Sequence, residues 1–158
     1  MCQATRHRFD RTVEFFVRAE KGDIRAASAW LADMGEACGV PRAHVMRLDQ
    51  CLDEALANVI AHGGPSAHAV PIALVLDVCR NADGNEAALT VSDAGIAFDP
   101  LASPVKPGPT SLLDAVPGGL GLTMMRHFAD RLSYRRDADR NHLTVVVRWL
   151  DAAAQTHR

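Results

Sequence analysis

The stretch VSDAGIAFDP, residues 91–100, decides how the middle of this chain is interpreted. It starts as an apolar run typical of a buried strand, but the run ends in Asp93, with Gly95 two residues later and turn-forming residues up to Pro100. A buried carboxylate is costly unless the protein, water or a ligand partners it. Since an Asp-x-Gly sequence alone is most often only a turn, the surrounding elements have to show which partner Asp93 has.

The segments around this stretch predict two hairpins and a first strand. Residues 69–80 and 86–94, joined by the turn-forming NADGN, have the pattern of a hairpin with largely buried faces. Residues 131–137 and 142–150, joined around ADRN, predict a second hairpin. Residues 11–18 are rich in β-branched and aromatic residues, which predicts a strand near the start of the chain.

Three segments have the periodicity of helices. The first runs from a predicted N-cap at Asp23 to Gly39, and the second follows Pro41 and stops at the Gly-Gly pair after His62. The third, residues 120–130, follows a run of glycines. Because the strands come in hairpin pairs, we expect an α+β fold, a two-layer sandwich with helices on one face of a mostly antiparallel mixed sheet.

Composition excludes several classes of protein. A chain of 158 residues with 48% hydrophobic residues predicts a single domain, residues 1–158, with its core over about 10–150. The net charge of -2 gives no broad footprint for nucleic acid or a membrane surface. Four scattered cysteines without a C-x-x-C pair indicate reduced thiols, and the longest apolar run is too short to span a bilayer, so we expect a soluble, cytoplasmic protein.

The second predicted helix carries a line of polar residues beside its apolar stripe. Glu54, Asn58 and His62 lie at i, i+4 and i+8, so they share one side of the helix. A boundary face with a histidine near the helix C-terminus explains this pattern without a ligand. A carboxylate beside a carboxamide is also suited to hold a divalent cation and to orient a hydroxyl or water.

The third predicted helix begins in the sequence GGLGLTMM. Gly118, Gly119 and Gly121 let the backbone approach an anion at a helix N-terminus, although a flexible hinge would have the same composition. Residues 100–118 before it hold five of the eight prolines, and a loop of this length is typical of a lid or binding loop. At Asp93 itself, the carboxylate can accept a hydrogen bond from an exocyclic amine, and Gly95 leaves room for a flat ring.

Three motifs in this order resemble the GHKL ATPase superfamily, which includes gyrase, sensor histidine kinases and mismatch-repair ATPases. EALANVIAH matches its N box, DAGIAF its G1 box and GGLGL its G2 box. The histidine that ends the N box, the Phe-Asp-Pro after G1 and the RNHLTVVV near the end are most similar to the anti-sigma-factor serine kinases of bacterial partner-switching systems. The resemblance implies the histidine-kinase-like ATPase fold over roughly residues 10–150.

The resemblance also implies roles for individual residues. The implied cofactors are ATP and Mg²⁺, with Asn58 as the metal ligand and Glu54 as the catalytic base or orienter. Asp93 would bind the adenine amino group, with Gly95 beside the ring, and residues 100–118 would form the ATP lid. The remaining implied nucleotide-binding residues are His62, the G2 residues Gly118, Gly119, Leu120, Gly121 and Leu122, and Thr144 on the last strand.

The function implied is an ATP-dependent protein serine/threonine kinase that binds a sigma factor and phosphorylates an anti-anti-sigma (STAS-type) partner, with a homodimer expected. Two alternatives stay open from the sequence. One is a stand-alone catalytic domain related to sensor histidine kinases, and the other is a non-catalytic, nucleotide-gated protein-binding module. The sequence departs from the serine kinases at Val116-Pro117, where they often carry an arginine, and in GGPSAHA after the N box.

Overall fold

The computed structural model describes residues 10–102 and 119–151, with the backbone alone for Gly119 and Leu120. Along the chain, the elements are β1 (Arg11–Val17), α1 (Lys21–Ala37), α2 (Arg42–His62), α3 (Gly64–Ala69), β2 (Ile72–Asn81), β3 (Gly84–Asp93), α4 (Gly119–Phe128), β4 (Arg131–Asp137) and β5 (Arg140–Trp149).

The five strands form one sheet in the order β1-β2-β3-β5-β4. Each neighbouring pair is antiparallel, so the α+β expectation is confirmed, while no parallel pair occurs within the described ranges and the sheet is not mixed there. The central pair, β3 with β5, places Asp93 directly opposite Asn141. The end of the strand that opened the sequence question therefore lies in the middle of the sheet, beside the start of β5.

The helices cover one face of the sheet. On β3 and β5 the residues that point toward the helices are buried in one hydrophobic core, among them Leu89, Val91 and Val145, which join Leu48 and Leu52 of α2. Because strand side chains alternate between faces, the residues between them point to the opposite face. This alternation decides which residues of β3 and β5 can reach a site between the sheet and α2.

Two details differ from the sequence expectations. Asp23 is not the N-cap of α1, because the helix begins two residues earlier with Glu20 as N-cap. The Asp23 carboxylate instead accepts a hydrogen bond from the backbone N–H of Arg18 at 2.7 Å. The Gly-Gly pair does end α2, but Pro65 stands in the first turn of a short helix, α3, that the sequence reasoning did not predict.

The described cysteines and helices bear on two further expectations. Cys38, Cys51 and Cys79 are free and buried, which confirms reduced thiols at these three positions. Burial raises the pKa of the Cys51 thiol to about 11, so this group stays protonated at neutral pH. Within residues 10–102 and 119–151, no helix combines the length and the apolar character needed to cross a bilayer.

Candidate functional site

A cleft lies between the C-terminal half of α2 and the end of the sheet where β3 finishes. It holds about 460 Å³ of empty space, counting the part that is open to solvent. Most of its wall is apolar, with a few polar groups. The residues that line it are Ala55, Asn58, Val59, His62, Gly63, Val91, Asp93, Ile96, Phe98, Pro100, Tyr134, Asn141 and Leu143.

Asp93 is the buried acidic group of this cleft, with 7% of its surface exposed. Its Oδ1 accepts hydrogen bonds from the backbone N–H of Gly95 at 2.8 Å and from Asn141 Nδ2 at 3.0 Å. No hydrogen bond from the described residues reaches Oδ2, and Asp93 lines the cleft. The carboxylate thus has one oxygen held by the protein and one left to accept from a donor in the cleft.

Two of the three polar residues on α2 line this cleft. Asn58 lies on the wall across from the sheet, and His62 stands near the rim, where its ring centroid is 6.1 Å from that of Phe98. The structure therefore brings Asn58, His62 and Asp93 together, as the sequence predicts. Asn58 offers an amide, and the aromatic pair at the rim offers flat apolar surface.

Glu54 lies at the other end of this polar line, where α2 meets the start of α4. A Cβ added to Gly121 would collide with Glu54 Oε2, so the glycine is needed for the carboxylate to lie against the helix. Glu54 is one helical turn before Asn58, about 6 Å along the axis. The N box and the G2 box are therefore in direct contact through Glu54 and Gly121, which are 67 residues apart in sequence.

The direction of α4 follows from its contacts with α2. Gly121 contacts Glu54, the carbonyl of Met125 accepts from Cys51 Sγ at 3.9 Å, and Arg47 Nε donates to the carbonyl of Phe128 at 2.7 Å. The two helices are thus antiparallel, and the N-terminus of α4 points to the Asn58 end of α2. The positive end of the helix dipole lies on that side, where it favours an anion.

Part of the predicted G2 box and lid lies outside the described residues. This applies to Gly118 and to residues 103–118 of the lid, while Pro100 at the start of the lid lines the cleft. Gly119 and Leu120 form the first turn of α4, and the side chain of Leu122 packs against the hydrophobic core. The backbone roles predicted for these residues stay predictions.

The structure shows why position 95 must be a glycine, for a reason that the sequence did not predict. A Cβ at this position would lie 2.9 Å from both the Cα and the carbonyl oxygen of Gly63, and 2.7 Å from Asp93 Oδ1. The next residue, Ile96, donates its backbone N–H to the carbonyl of Gly63 at 3.0 Å. Gly95 thus lets the turn after β3 close against the end of α2, whereas its predicted position beside an adenine ring stays a prediction.

Thr144 does not belong to the cleft, which corrects its predicted role in adenine binding. It stands between Leu143 and Val145, which face the helices, so its side chain points to the opposite face of the sheet. There its hydroxyl pairs with that of Thr90 on β3 at 2.9 Å. The cleft-lining residue of this stretch is Leu143.

A family model for the histidine kinase-like ATPase domain matches residues 17–147 of the chain. The chain belongs to the histidine kinase-like ATPase family. The match extends from the end of β1 almost to the end of β5, and includes the cleft with α2 and α4. The ATPase fold inferred from the three sequence motifs is thereby confirmed.

Relatives and solved structures agree with this ATPase family. The chain is 43% identical over 99 residues to the serine/threonine-protein kinase BtrW of Bordetella bronchiseptica, which covers 63% of this chain and 67% of the relative. The RsbU and RsbW domains of Rv1364c from Mycobacterium tuberculosis share the fold with a TM-score of 0.57 at 15% identity; 86% of this chain is covered, but only 32% of that chain. A structure of the SiaB-SiaC complex from Pseudomonas aeruginosa matches with a TM-score of 0.56 at 17% identity, covering 90% of this chain and 92% of the other.

The sequence reasoning missed two polar residues that line this cleft, Tyr134 and Asn141, and Arg136, which bonds to Asn141. Asn141, Tyr134 and Arg136 all lie on the β4–β5 hairpin, and Asn141 contacts Asp93 directly. Asn141 was missed because it is the last residue of ADRN, a composition typical of turns. The signal that would have found it is the antiparallel pairing of β3 with β5, which places it across from Asp93.

Proposed function

We propose that this protein is an ATP-dependent serine/threonine-protein kinase that binds a sigma factor and phosphorylates a STAS-type anti-anti-sigma partner in the cytoplasm. Family membership and the identity with a relative named as a serine/threonine-protein kinase support the catalytic part. The partner part rests on the resemblance to anti-sigma-factor kinases of the histidine that ends the N box, the Phe-Asp-Pro after G1 and the RNHLTVVV near the end. A homodimer belongs to the same proposal and is checked by analytical ultracentrifugation.

The observation that carries the proposal is that only one of the two carboxylate oxygens of Asp93 accepts hydrogen bonds from the described residues. A buried acidic group with one oxygen held by the protein and the other available in an apolar cleft is arranged to read a hydrogen-bond donor. The exocyclic amino group of adenine is such a donor. The apolar cleft walls, including Val91 and Leu143, offer surface for the flat ring.

The residues at the other end of the cleft fit a nucleotide phosphate chain with a magnesium ion. Among the described residues there is no cluster of three or more acidic, histidine or cysteine side chains suited to a metal. This fits Mg²⁺, which retains waters and takes most other ligands from phosphates, so that the Asn58 amide oxygen is a sufficient protein contribution. When bound, the ion would neutralise phosphate charge, and the N-terminal end of α4 would supply backbone N–H groups.

Glu54 is the residue proposed to orient the attacking serine hydroxyl. Its carboxylate is half-buried against Gly121, where α2 meets the phosphate end of the cleft. Phosphoryl transfer depends mainly on positioning and charge neutralisation, so one carboxylate near the phosphates is enough to accept the hydroxyl proton. Replacement by Gln should keep ATP binding and remove transfer.

The test is incubation of the full chain with labelled ATP, Mg²⁺ and a STAS-type partner protein. We expect acid-stable phosphoserine or phosphothreonine on the partner, abolished in Glu54→Gln and in Asn58→Ala. The matched control is Gln50→Ala, which removes an exposed amide from the same helix away from the cleft and should keep full activity.

The two alternatives give different results in the same assay. Label that appears only as acid-labile phosphohistidine would identify a histidine-kinase-type catalytic domain. ATP binding without transfer to any partner would identify a nucleotide-gated binding module. If Asn58→Ala and Asp93→Asn both keep the wild-type affinity for ATP, the proposed ATP site is wrong.

A further inference from the structure

We propose that Asn141 is a positioning residue that fixes the Asp93 carboxylate and thereby sets the preference of the cleft for a 6-amino purine over a 6-oxo purine. This inference rests on the proposed ATP site and adds to it the residue on which base selection depends. It is carried by the hydrogen bonds of the β4–β5 hairpin.

Asn141 is buried, with 6% of its surface exposed, and each of its amide hydrogens has a partner. Its Nδ2 donates to Asp93 Oδ1 at 3.0 Å and to the carbonyl of Ile96 at 2.9 Å. It therefore contacts both the acidic residue and the turn that follows it. A buried amide with this many bonds is expensive to replace, because each lost partner leaves another polar group unpaired.

The orientation of the Asn141 amide is determined by its other neighbours. Arg136 Nη1 lies 2.9 Å from Asn141 Oδ1, and a guanidinium can only donate a hydrogen bond. The hydroxyl of Tyr134 also bonds to Oδ1, at 2.7 Å. The oxygen of the amide must therefore face Arg136 and Tyr134, and the NH₂ group must face Asp93.

Arg136 also ties the turn itself to the hairpin. Its Nη1 donates to the carbonyl of Gly95 at 2.8 Å, beside its bond to Asn141. The β4–β5 hairpin thus holds the turn at Asp93, Gly95 and Ile96 together. Rotation of the Asp93 carboxylate would break the bonds to Oδ1, so Oδ2 keeps a fixed direction in the cleft.

A fixed acceptor discriminates between purines by the group at position 6. An amino group donates to the carboxylate oxygen, whereas a carbonyl oxygen at the same place is repelled by it. If Asp93 were free to turn away, the repulsion would be relieved and the donor would lose its partner. The ratio of ATP to GTP affinity therefore reports how firmly Asn141 holds Asp93.

The experiment measures ATP and GTP dissociation constants by calorimetry for the wild type and for Asn141→Asp. This change removes the donor to Asp93 and places a second carboxylate beside it, and we expect the ATP:GTP affinity ratio to fall at least about tenfold. Any general repulsion of the phosphates by the added charge affects both nucleotides and cancels in the ratio.

Asn85→Asp is the matched control. Asn85 is also a buried asparagine, with 4% exposure, and its Nδ2 also donates to an aspartate, Asp151 Oδ1 at 2.9 Å. It lies at the far end of β3, about 26 Å along the strand from Asp93. The control should lower the melting temperature and leave the nucleotide ratio at its wild-type value.

A second variant keeps the test decisive if Asn141→Asp fails to fold by circular dichroism. Arg136→Met removes an exposed side chain that holds Asn141 and Gly95, and we expect the ratio to fall about threefold. An unchanged ratio in Arg136→Met and in a folded Asn141→Asp would overturn the inference.

If the wild type binds no ATP, or if Asp93→Asn keeps the wild-type ratio of ATP to GTP affinity, both the proposed function and this inference fail. A ratio lowered by Asp93→Asn alone would reject only the role of Asn141.

Discussion

The two ends of β3 have the same pair of residue types in different surroundings. At one end, buried Asn141 donates to Asp93, which is itself buried. At the other end, buried Asn85 donates to Asp151, which is exposed. The first carboxylate sits in a cleft and the second is open to solvent.

This difference shows which of the two polar pairs is arranged to accept a hydrogen bond from a ligand. An exposed carboxylate is solvated, so the bond between Asn85 and Asp151 simply satisfies an amide at the start of β3. A buried carboxylate loses that solvation, and Asp93 recovers only part of it through Oδ1. The remaining oxygen is the feature that a nucleotide base would complete.

Neutralising each aspartate in turn tests this difference most directly. Asp93→Asn should weaken ATP binding about 100-fold, because it replaces a charged acceptor by an amide whose NH₂ group opposes the donor of the base. Asp151→Asn should leave ATP affinity within twofold of the wild type. Calorimetric titration with Mg-ATP measures both; similar losses in the two variants would contradict the assignment of Asp93.

The glycines at the two ends offer a second test. Gly95→Ala should lower the free energy of unfolding by about 2 kcal/mol, because its Cβ meets the backbone of Gly63, and should weaken ATP binding about tenfold. Gly84→Ala should cost a similar amount of stability, because this residue has a φ of +133° that alanine rarely adopts. ATP affinity should change only in Gly95→Ala; urea denaturation and calorimetry measure the two effects.

The stability of the protein should respond to pH through His142, on the face of the sheet away from α2. His142 bonds to Ser92 at 2.6 Å, and burial, followed by the charge of Arg135, lowers the pKa of His142 below its ordinary value of 6.5. As pH falls below 6.5, the unfolded chain takes up a proton that the folded chain does not, so stability decreases toward the lower folded pKa. The melting temperature should therefore drop more between pH 7.5 and 5.5 in the wild type than in His142→Gln. Equal drops would show that His142 is not the group responsible.

The smallest effect is expected at Thr144, on the face away from the cleft. Thr144→Val keeps the shape of the side chain and removes only its bond with Thr90, so the free energy of unfolding should fall by about 0.5–1 kcal/mol. ATP affinity should not change. A tenfold loss of affinity in this variant would show that the face of β5 has been assigned wrongly.

Much of the fold could be predicted because hydrophobic periodicity is local. The helical stripe along α2 and the alternating runs of β2, β3 and β5 each decide their own element, and hairpin turns join neighbours. The short helix α3 was missed because a Gly-Gly pair followed by proline indicates a stop more strongly than a new start. The N-cap of α1 was misplaced because Glu20 caps the helix without a side-chain bond.

The candidate site was predictable only where one element carries the signal. Asn58 and Asp93 stand out within their own helix and strand, and the structure brings both to the cleft. Thr144 and Asn141 depend on which face of β5 points inward, and a one-residue difference reverses the answer. The register of β5 against β3 settles that point, and the sequence of β5 alone does not reveal it.

The bond between Asn141 and Asp93 joins positions 48 residues apart. During synthesis, Asp93 leaves the ribosome well before Asn141 does, so the Asp93 end of the cleft can take its final form only after β5 has been made. Contacts of such long range form late and slow the folding of a chain. A nascent chain that ended within β4 would have the N-box helix and Asp93, but it would lack the amide that gives this carboxylate its direction.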